Sequence, residues 1–327
     1  MLNGQVFNLF KNSSVFLICA ILIGSLIGIS SPETGEVLGS FIDPTILALV
    51  FLLLFEVPVK GIFKGLTNIK FISIAWLVNF VVIPLVGFAI ASLFLSGQAL
   101  FYTGLVIYFM APCTDWYLGF TRLAKGNVEL GAALLPINMV SQLILFPVYL
   151  LMFDTVVQYK VDLSMLFQWF LQPLAAAIVM RIVLKQFMHV VLPVCKILIP
   201  IVLSLLVAQI FAANIGTLVN HLSVVPLLLS AIFVFFIVTY LIGEVVSKLA
   251  KFEYPEHCAL SFTTAARNAP LMLGLTTIAI PDQPLIYATI TIGMLIEFPH
   301  LTALKSILLK RINKASSHTS SPQEQVT

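Results

Sequence analysis

Three side chains with reactive or ionisable groups stand together inside an otherwise apolar run. In FMAPCTDWYLGF, residues 109–120, Cys113, Thr114 and Asp115 follow Pro112. A thiolate is a soft ligand for thiophilic metal centres, and a carboxylate can hold a cation or carry a proton. At membrane depth such groups are costly unless paired or wet, and so are the backbone groups that a break in the helix sets free. The cluster therefore reads as binding groups supplied by an interrupted helix. A second cluster of the same kind, Arg267 and Asn268 before Pro270, interrupts the apolar run TTAARNAPLMLG. Glu297 lies at least ten residues inside a further apolar segment, where a carboxylate either serves a proton or ligand role or is hydrogen-bonded between helices as a structural group. Asn138 and Gln142 are one helical turn apart and share a face, which either lines a site or hydrogen-bonds between helices.

The elements that must position these groups are membrane helices. Of 327 residues, 60% are hydrophobic and 9% charged, against roughly 25% charged in a soluble domain. Apolar runs of about 20 residues, the length that crosses a bilayer, predict ten spans near 14–30, 38–57, 71–96, 99–122, 130–153, 163–184, 190–213, 223–246, 256–280 and 284–308. The first has no A-x-A-like cleavage site and reads as a retained span rather than a signal peptide. Residues 312–327 are polar and aperiodic, which predicts a short disordered cytoplasmic tail. Pro44 and Pro200 predict kinks, and Glu56 with Lys60 a surface pair at a helix end.

Orientation follows from the basic residues, which are retained on the cytoplasmic side. Lys60, Lys64, Lys70, Arg122, Lys125, Lys248, Lys251, Lys310 and Arg311 all fall on the side of the N-terminus, and the opposite loops hold only Lys160. Both termini are expected to be cytoplasmic. Ten spans divide into five and five, residues 1–153 and 154–311, and an odd number per half makes the halves opposite in orientation. An offset of 155 residues supports this inverted repeat: it sets Cys113 on Asn268, Leu118 on Leu273, Gly119 on Gly274 and Gln142 on Glu297. Two interrupted helices at matching places in inverted halves point to a transporter's substrate site near the midplane.

At these residues the chain resembles the bile acid/sodium symporter and arsenite-permease superfamily, over nearly its whole length. APCTDW followed by LAKGN is similar to the Cys-containing segment of the arsenite permeases, and GMLIEFP, residues 293–299, is similar to their Gly-x-Leu-Ile-Glu-x-Pro segment; RNAP, residues 267–270, completes the match. The resemblance implies transport roles for Cys113 and Glu297. It also implies an all-α, ten-span fold with two broken, crossing helices. Spans three to five and eight to ten would form a core, and spans one, two, six and seven a panel. Two departures stand out. The arsenite permeases usually carry an Arg directly before the Cys, where this chain has Pro112, and an Arg stands instead at the repeat mate, Arg267. The bile-acid branch uses a Gln-Asn pair for sodium where this chain has Arg267-Asn268, and a guanidinium is a poor neighbour for sodium.

The four cysteines, Cys19, Cys113, Cys195 and Cys258, are scattered singly, with neither a zinc cluster nor a disulfide framework indicated. All but Cys113 read as small apolar filler in packed helices. HExxH, Gly-x-Gly-Asp and Asp-rich cation motifs are absent, which argues against a membrane enzyme. No Walker A sequence is present, so an ion gradient, of protons or sodium, is the expected energy source unless an ATPase subunit is recruited. The leading expectation is efflux of a small oxyanion or hydroxide of arsenic or antimony in exchange for protons, in a bacterial inner membrane. Cys113, Thr114, Asp115, Arg267 and Asn268 would bind the substrate, with Cys113 contacting the metalloid and Arg267 selecting negative charge, and Glu297 with Asp115 would serve ion coupling. Asn138 and Gln142 are candidate lining residues, and Asp115 is expected to pair with Arg267 across the crossover. The alternative is sodium-coupled uptake of an organic anion such as a bile-acid-like or keto acid. No cofactor and no nucleic-acid partner are expected, and these residues do not fix an oligomeric state.

Overall fold

In the computed structural model, residues 2–56, 68–113, 116–157, 175–177 and 179–319 are described. Their regular structure is helical, with one isolated antiparallel bridge between Pro112 and Arg267. The helices are α1 (Leu2–Ser30), α2 (Pro32–Gly39), α3 (Ile42–Glu56), α4 (Ile69–Leu77), α5 (Ile83–Leu95), α6 (Ala99–Met110), α7 (Trp116–Leu123), α8 (Val128–Val157), α9 (Met188–Val219), α10 (Val225–Ala250), α11 (Tyr254–Ala265), α12 (Ala269–Ala279) and α13 (Pro284–Thr319).

Among the described residues, five helical segments are long and apolar enough to cross a membrane: Ile69–Leu95, Val128–Leu150, Lys185–Val219, Leu222–Ala250 and Pro284–Ile312. A sixth is counted if Pro32–Gly39 and Ile42–Leu53, bent by 44°, form one span. The fourth and ninth of the ten expected spans miss the length test because each is two half-helices, α6 with α7 and α11 with α12. The sixth, 163–184, falls largely outside the described residues. At the other end, α13 continues to Thr319, past the point near 312 where the sequence suggests a disordered tail. Lys310, Arg311, Lys314 and Ala315 are good helix formers and carry the ladder beyond the apolar segment.

The helices divide into two packing groups. In one, α1, α2 and α3 lie against α9. Gly24 and Gly28, four apart on α1, make that approach possible: a Cβ on them would stand 2.3 Å from the Ala208 carbonyl oxygen and 2.2 Å from that of Ala212. Small residues at this spacing let two membrane helices touch through their backbones. In the other group, α6 runs between α5 and α13, α10 packs on α11 and α5, and α8 crosses α4, α6, α7 and α11. The groups also touch, through α3 on α12 and α9 on α13.

One local irregularity bears on the site. Between α4 and α5 the helix widens into a π-turn, Val78–Val82, just before Pro84. Proline has no N–H, so the Phe80 carbonyl four residues earlier loses its α-helical donor. The buried Tyr149 hydroxyl on α8 donates to that carbonyl instead. Turns of this kind are frequent at functional sites, and this one carries Asn79 into the protein interior.

Candidate functional site

Both interruptions fall where the sequence places them, and they face one another. Helix α6 stops at Met110 and α11 at Ala265, each followed by an extended cap residue, Ala111 and Ala266. The extended segments pair: the Cys113 N–H donates to the Ala266 carbonyl at 2.9 Å, and the Asn268 N–H donates to the Ala111 carbonyl at 2.9 Å. Pro112 and Arg267 stand opposite each other between these two bonds. Neither uses its N–H in the bridge, so a proline at 112 removes no hydrogen bond from it. Residues 112 and 267 differ by the same 155 positions as the sequence repeat, and that offset exchanges one hydrogen bond for the other. The α12 half then starts cleanly. The Asn268 side chain accepts from the Leu271 N–H at 3.4 Å as its N-cap, and Pro270 sits in the first turn, where a missing N–H is harmless.

Arg267 is 2% exposed, and its guanidinium is spent on backbone. Nη1 donates to the Phe109 carbonyl at 3.0 Å, and Nη2 donates to the Thr263 carbonyl at 3.2 Å and to that of Thr264. Its charge also lies 5.7 Å from the centre of the Phe235 ring, which stacks on Phe109 at 3.7 Å. Glu297, Tyr108 and Cys113 are all within electrostatic reach of this guanidinium. All four are buried, so the structure gathers three sequence-selected residues, Cys113, Arg267 and Glu297, around the bridge.

Tyr108 is the member of this group that sequence reasoning missed. Its hydroxyl lies 3.0 Å from the Gly293 carbonyl and 3.1 Å from Glu297 Oε2. A phenol has one proton and a carbonyl has none to give. Both contacts are therefore good hydrogen bonds when the phenol donates to Gly293 and a protonated Glu297 donates to the phenol. With Glu297 ionised, the phenol proton turns to the carboxylate instead. Gly293 makes room for this ring, since a Cβ there would come within 2.8 Å of Tyr108 Cε1.

The polar residues of α8 hold the break between α11 and α12 from its other side. Gln142 Oε1 accepts from Asn268 Nδ2 at 3.2 Å, and Asn138 Nδ2 donates to the Thr263 hydroxyl at 3.3 Å. Asn79 on the π-turn donates to the same hydroxyl at 3.0 Å. The amide oxygens of Asn79 and Asn138 have no hydrogen-bonding donor among the described residues, although both side chains are buried. Tyr108 and Thr263 are themselves 155 residues apart. Carrying the repeat comparison five residues further toward the N-terminus finds both.

Thr114 and Asp115 lie outside the described residues, and so does the expected pairing of Asp115 with Arg267. Of the other cysteines, Cys195 and Cys258 are buried, as filler should be, whereas Cys19 is exposed on the face of α1 rather than packed. A small, weakly polar side chain is tolerated on an apolar outer surface, and packing was not needed to explain it.

Comparison with known proteins places this geometry in context. The family model described as Sodium Bile acid symporter family matches residues 44–221. The chain is also 26% identical over 264 residues to the arsenical-resistance protein Acr3 of Corynebacterium glutamicum, a match that covers 74% of this chain and 71% of that relative.

Proposed function

The chain belongs to the sodium bile acid symporter family and is an integral membrane transporter; from that premise we propose that it exports a small hydroxide or oxyanion of trivalent arsenic or antimony, driven by an ion gradient and exchanged for protons. The observation that carries the reading is that Cys113, Tyr108 and Glu297 are buried within electrostatic reach of Arg267, at the place where the two interrupted helices pair. A soft sulfur donor and a carboxyl beside a phenol are what a metalloid and a proton respectively require. The name of the Corynebacterium relative agrees with this substrate class.

In this mechanism Cys113 contacts the metalloid through sulfur. Glu297 takes up a proton on one face and releases it on the other, and Tyr108 turns its hydroxyl between Gly293 and the carboxylate as that proton comes and goes. The repeat supports a close approach of the two working groups. Gln142 hydrogen-bonds Asn268, and the mates of these residues at the 155-residue offset are Glu297 and Cys113. The same offset, exchanging the two bridge hydrogen bonds, supports ten spans in two inverted halves. The basic residues support cytoplasmic termini.

The test is arsenite accumulation in an efflux-deficient bacterial host. Expression should lower cellular arsenite, and Cys113→Ser should abolish the effect while the protein still accumulates in the membrane. Sodium-dependent uptake of an organic anion, with no change in cellular arsenite, would overturn the reading in favour of a bile-acid-type symporter.

A further inference from the structure

The last carbonyls of a helix have no partner within it, and the end they form carries about half a negative elementary charge. Helices α6 and α11 both end at the bridge, so two such negative ends converge in a buried place, while the positive N-terminus of α12, which starts there, is capped by the Asn268 side chain. In transporters with interrupted helices, half-helix ends and unwound carbonyls of this kind coordinate a transported sodium ion or proton. Here a side chain has taken that position. Arg267 brings one positive charge and spends three of its five N–H groups on the carbonyls of Phe109, Thr263 and Thr264, one from α6 and two from α11. The Ala111 and Ala266 carbonyls beyond them are closed by the bridge itself.

We propose that Arg267 is a tethered cation that fills the place a coupling cation would occupy between the two helix ends, so that this place is closed to sodium. The charge that a freely exchanging ion would bring and take away is fixed in the chain. Arg267 is then a positioning residue: it holds the two breaks together and leaves coupling to a group whose charge can change, Glu297. The inference rests on the chain being a transporter with two paired breaks, and not on its substrate.

The experiment uses purified full-length protein in detergent and reads the thermal unfolding midpoint, which rises when an ion binds the folded state and not the unfolded one. Sodium chloride, choline chloride and millimolar guanidinium chloride are compared at constant ionic strength. The wild-type midpoint should be the same in all three. Arg267→Ala should unfold at lower temperature and regain most of the loss, saturably, with guanidinium and in part with sodium, but not with choline. Arg267→Lys, which keeps a cation in place, should stay indifferent to sodium. A role in packing alone predicts no ion-specific, saturable rescue. The proposal is overturned by a sodium-dependent midpoint in the wild type, or by an Arg267→Ala protein that neither guanidinium nor sodium stabilises. Where Arg267→Ala does not accumulate, Arg267→Lys decides: a folded, sodium-indifferent protein supports the proposal, and a protein that fails to fold or gains sodium dependence overturns it. These midpoints need no substrate, so a failure of arsenite export leaves them unchanged.

Discussion

Asn268→Ala isolates what the second break is held by. The backbone N–H of residue 268 is kept, so its bond to the Ala111 carbonyl survives, and the side chain's bonds to Leu271 and Gln142 are lost. The N-cap of α12 is worth about 1 kcal/mol. The bond to Gln142 joins two helices, and such bonds inside membrane proteins average about 0.6 and reach about 1.7 kcal/mol. Asn268 and Gln142 are only 5% and 2% exposed, so the stranded Gln142 oxygen finds no water and the upper part of that range applies. The expected destabilisation is therefore about 2–3 kcal/mol. Gln142→Leu removes the same interhelical bond but leaves the cap, and should cost roughly 1 kcal/mol. Unfolding of the purified single and double variants in detergent, run as a thermodynamic cycle, should return a coupling near 1 kcal/mol. Additivity within about 0.3 kcal/mol would show that the two amides are not bonded and that α8 does not brace the break. Arsenite export by Gln142→Leu then separates the two readings of this face. Glue alone predicts export in proportion to folded protein, and a lining role predicts a larger loss.

Four further perturbations address other parts of the structure. Tyr149→Phe leaves the Phe80 carbonyl without a donor and should cost about 1–3 kcal/mol, whereas Tyr149→Phe with Pro84→Ala should recover most of that, because residue 84 then supplies the helical N–H; unfolding of both variants checks it. Glu297→Gln should preserve accumulation and metalloid binding but abolish uptake into everted vesicles driven by a pH gradient, and full gradient-driven uptake in the variant would exclude Glu297 as the proton carrier. Gly293→Val should displace the Tyr108 ring from Glu297 and reduce export at least tenfold while most of the protein still folds, read as transport per folded molecule. Gly28→Val forces α1 away from the Ala212 carbonyl and should lower stability by about 1–3 kcal/mol as an overpacking change, measured as a lowered unfolding midpoint; an unchanged midpoint would mean that α1 and α9 do not touch through their backbones.

The interruptions were legible because their causes are local. Pro112 and Pro270 each remove a helical donor beside polar residues, Asn268 is a good N-cap, and ionisable residues in apolar runs mark a site wherever they occur. Cys113 and Glu297 are marked by the family resemblance, and the 155-residue offset sets Cys113 on Asn268, beside Arg267 in the second break. Tyr108 and Asn79 were not found. A tyrosine in an apolar helix and an asparagine near a proline look like ordinary interior residues unless a repeat mate, as Thr263 is for Tyr108, or a partner on another helix is known, and those partners, Glu297 and Thr263, are 189 and 184 residues away. The engagement of the Arg267 guanidinium with three carbonyls was hidden for the same reason, since its acceptors are backbone groups and have no signature in residue type. The extent of α13 is not legible from hydropathy, because a segment can lose hydrophobicity and stay helical, as residues 313–319 do.

The bridge between Pro112 and Arg267 has a consequence for how relatives of this chain should be compared. The two residues stand opposite each other at its centre, and neither contributes an N–H to it. A compact ring and a long cation share one slot there. Exchanging them would leave both flanking hydrogen bonds in place and would bring the guanidinium to the same crossing from the other strand. The arginine that the arsenite-permease pattern sets directly before the cysteine and the arginine found here at position 267 are then two addresses for one charge. Alignment column by column scores such an exchange as a loss at one position and an unrelated gain at another, whereas counting charge at the crossing finds nothing changed.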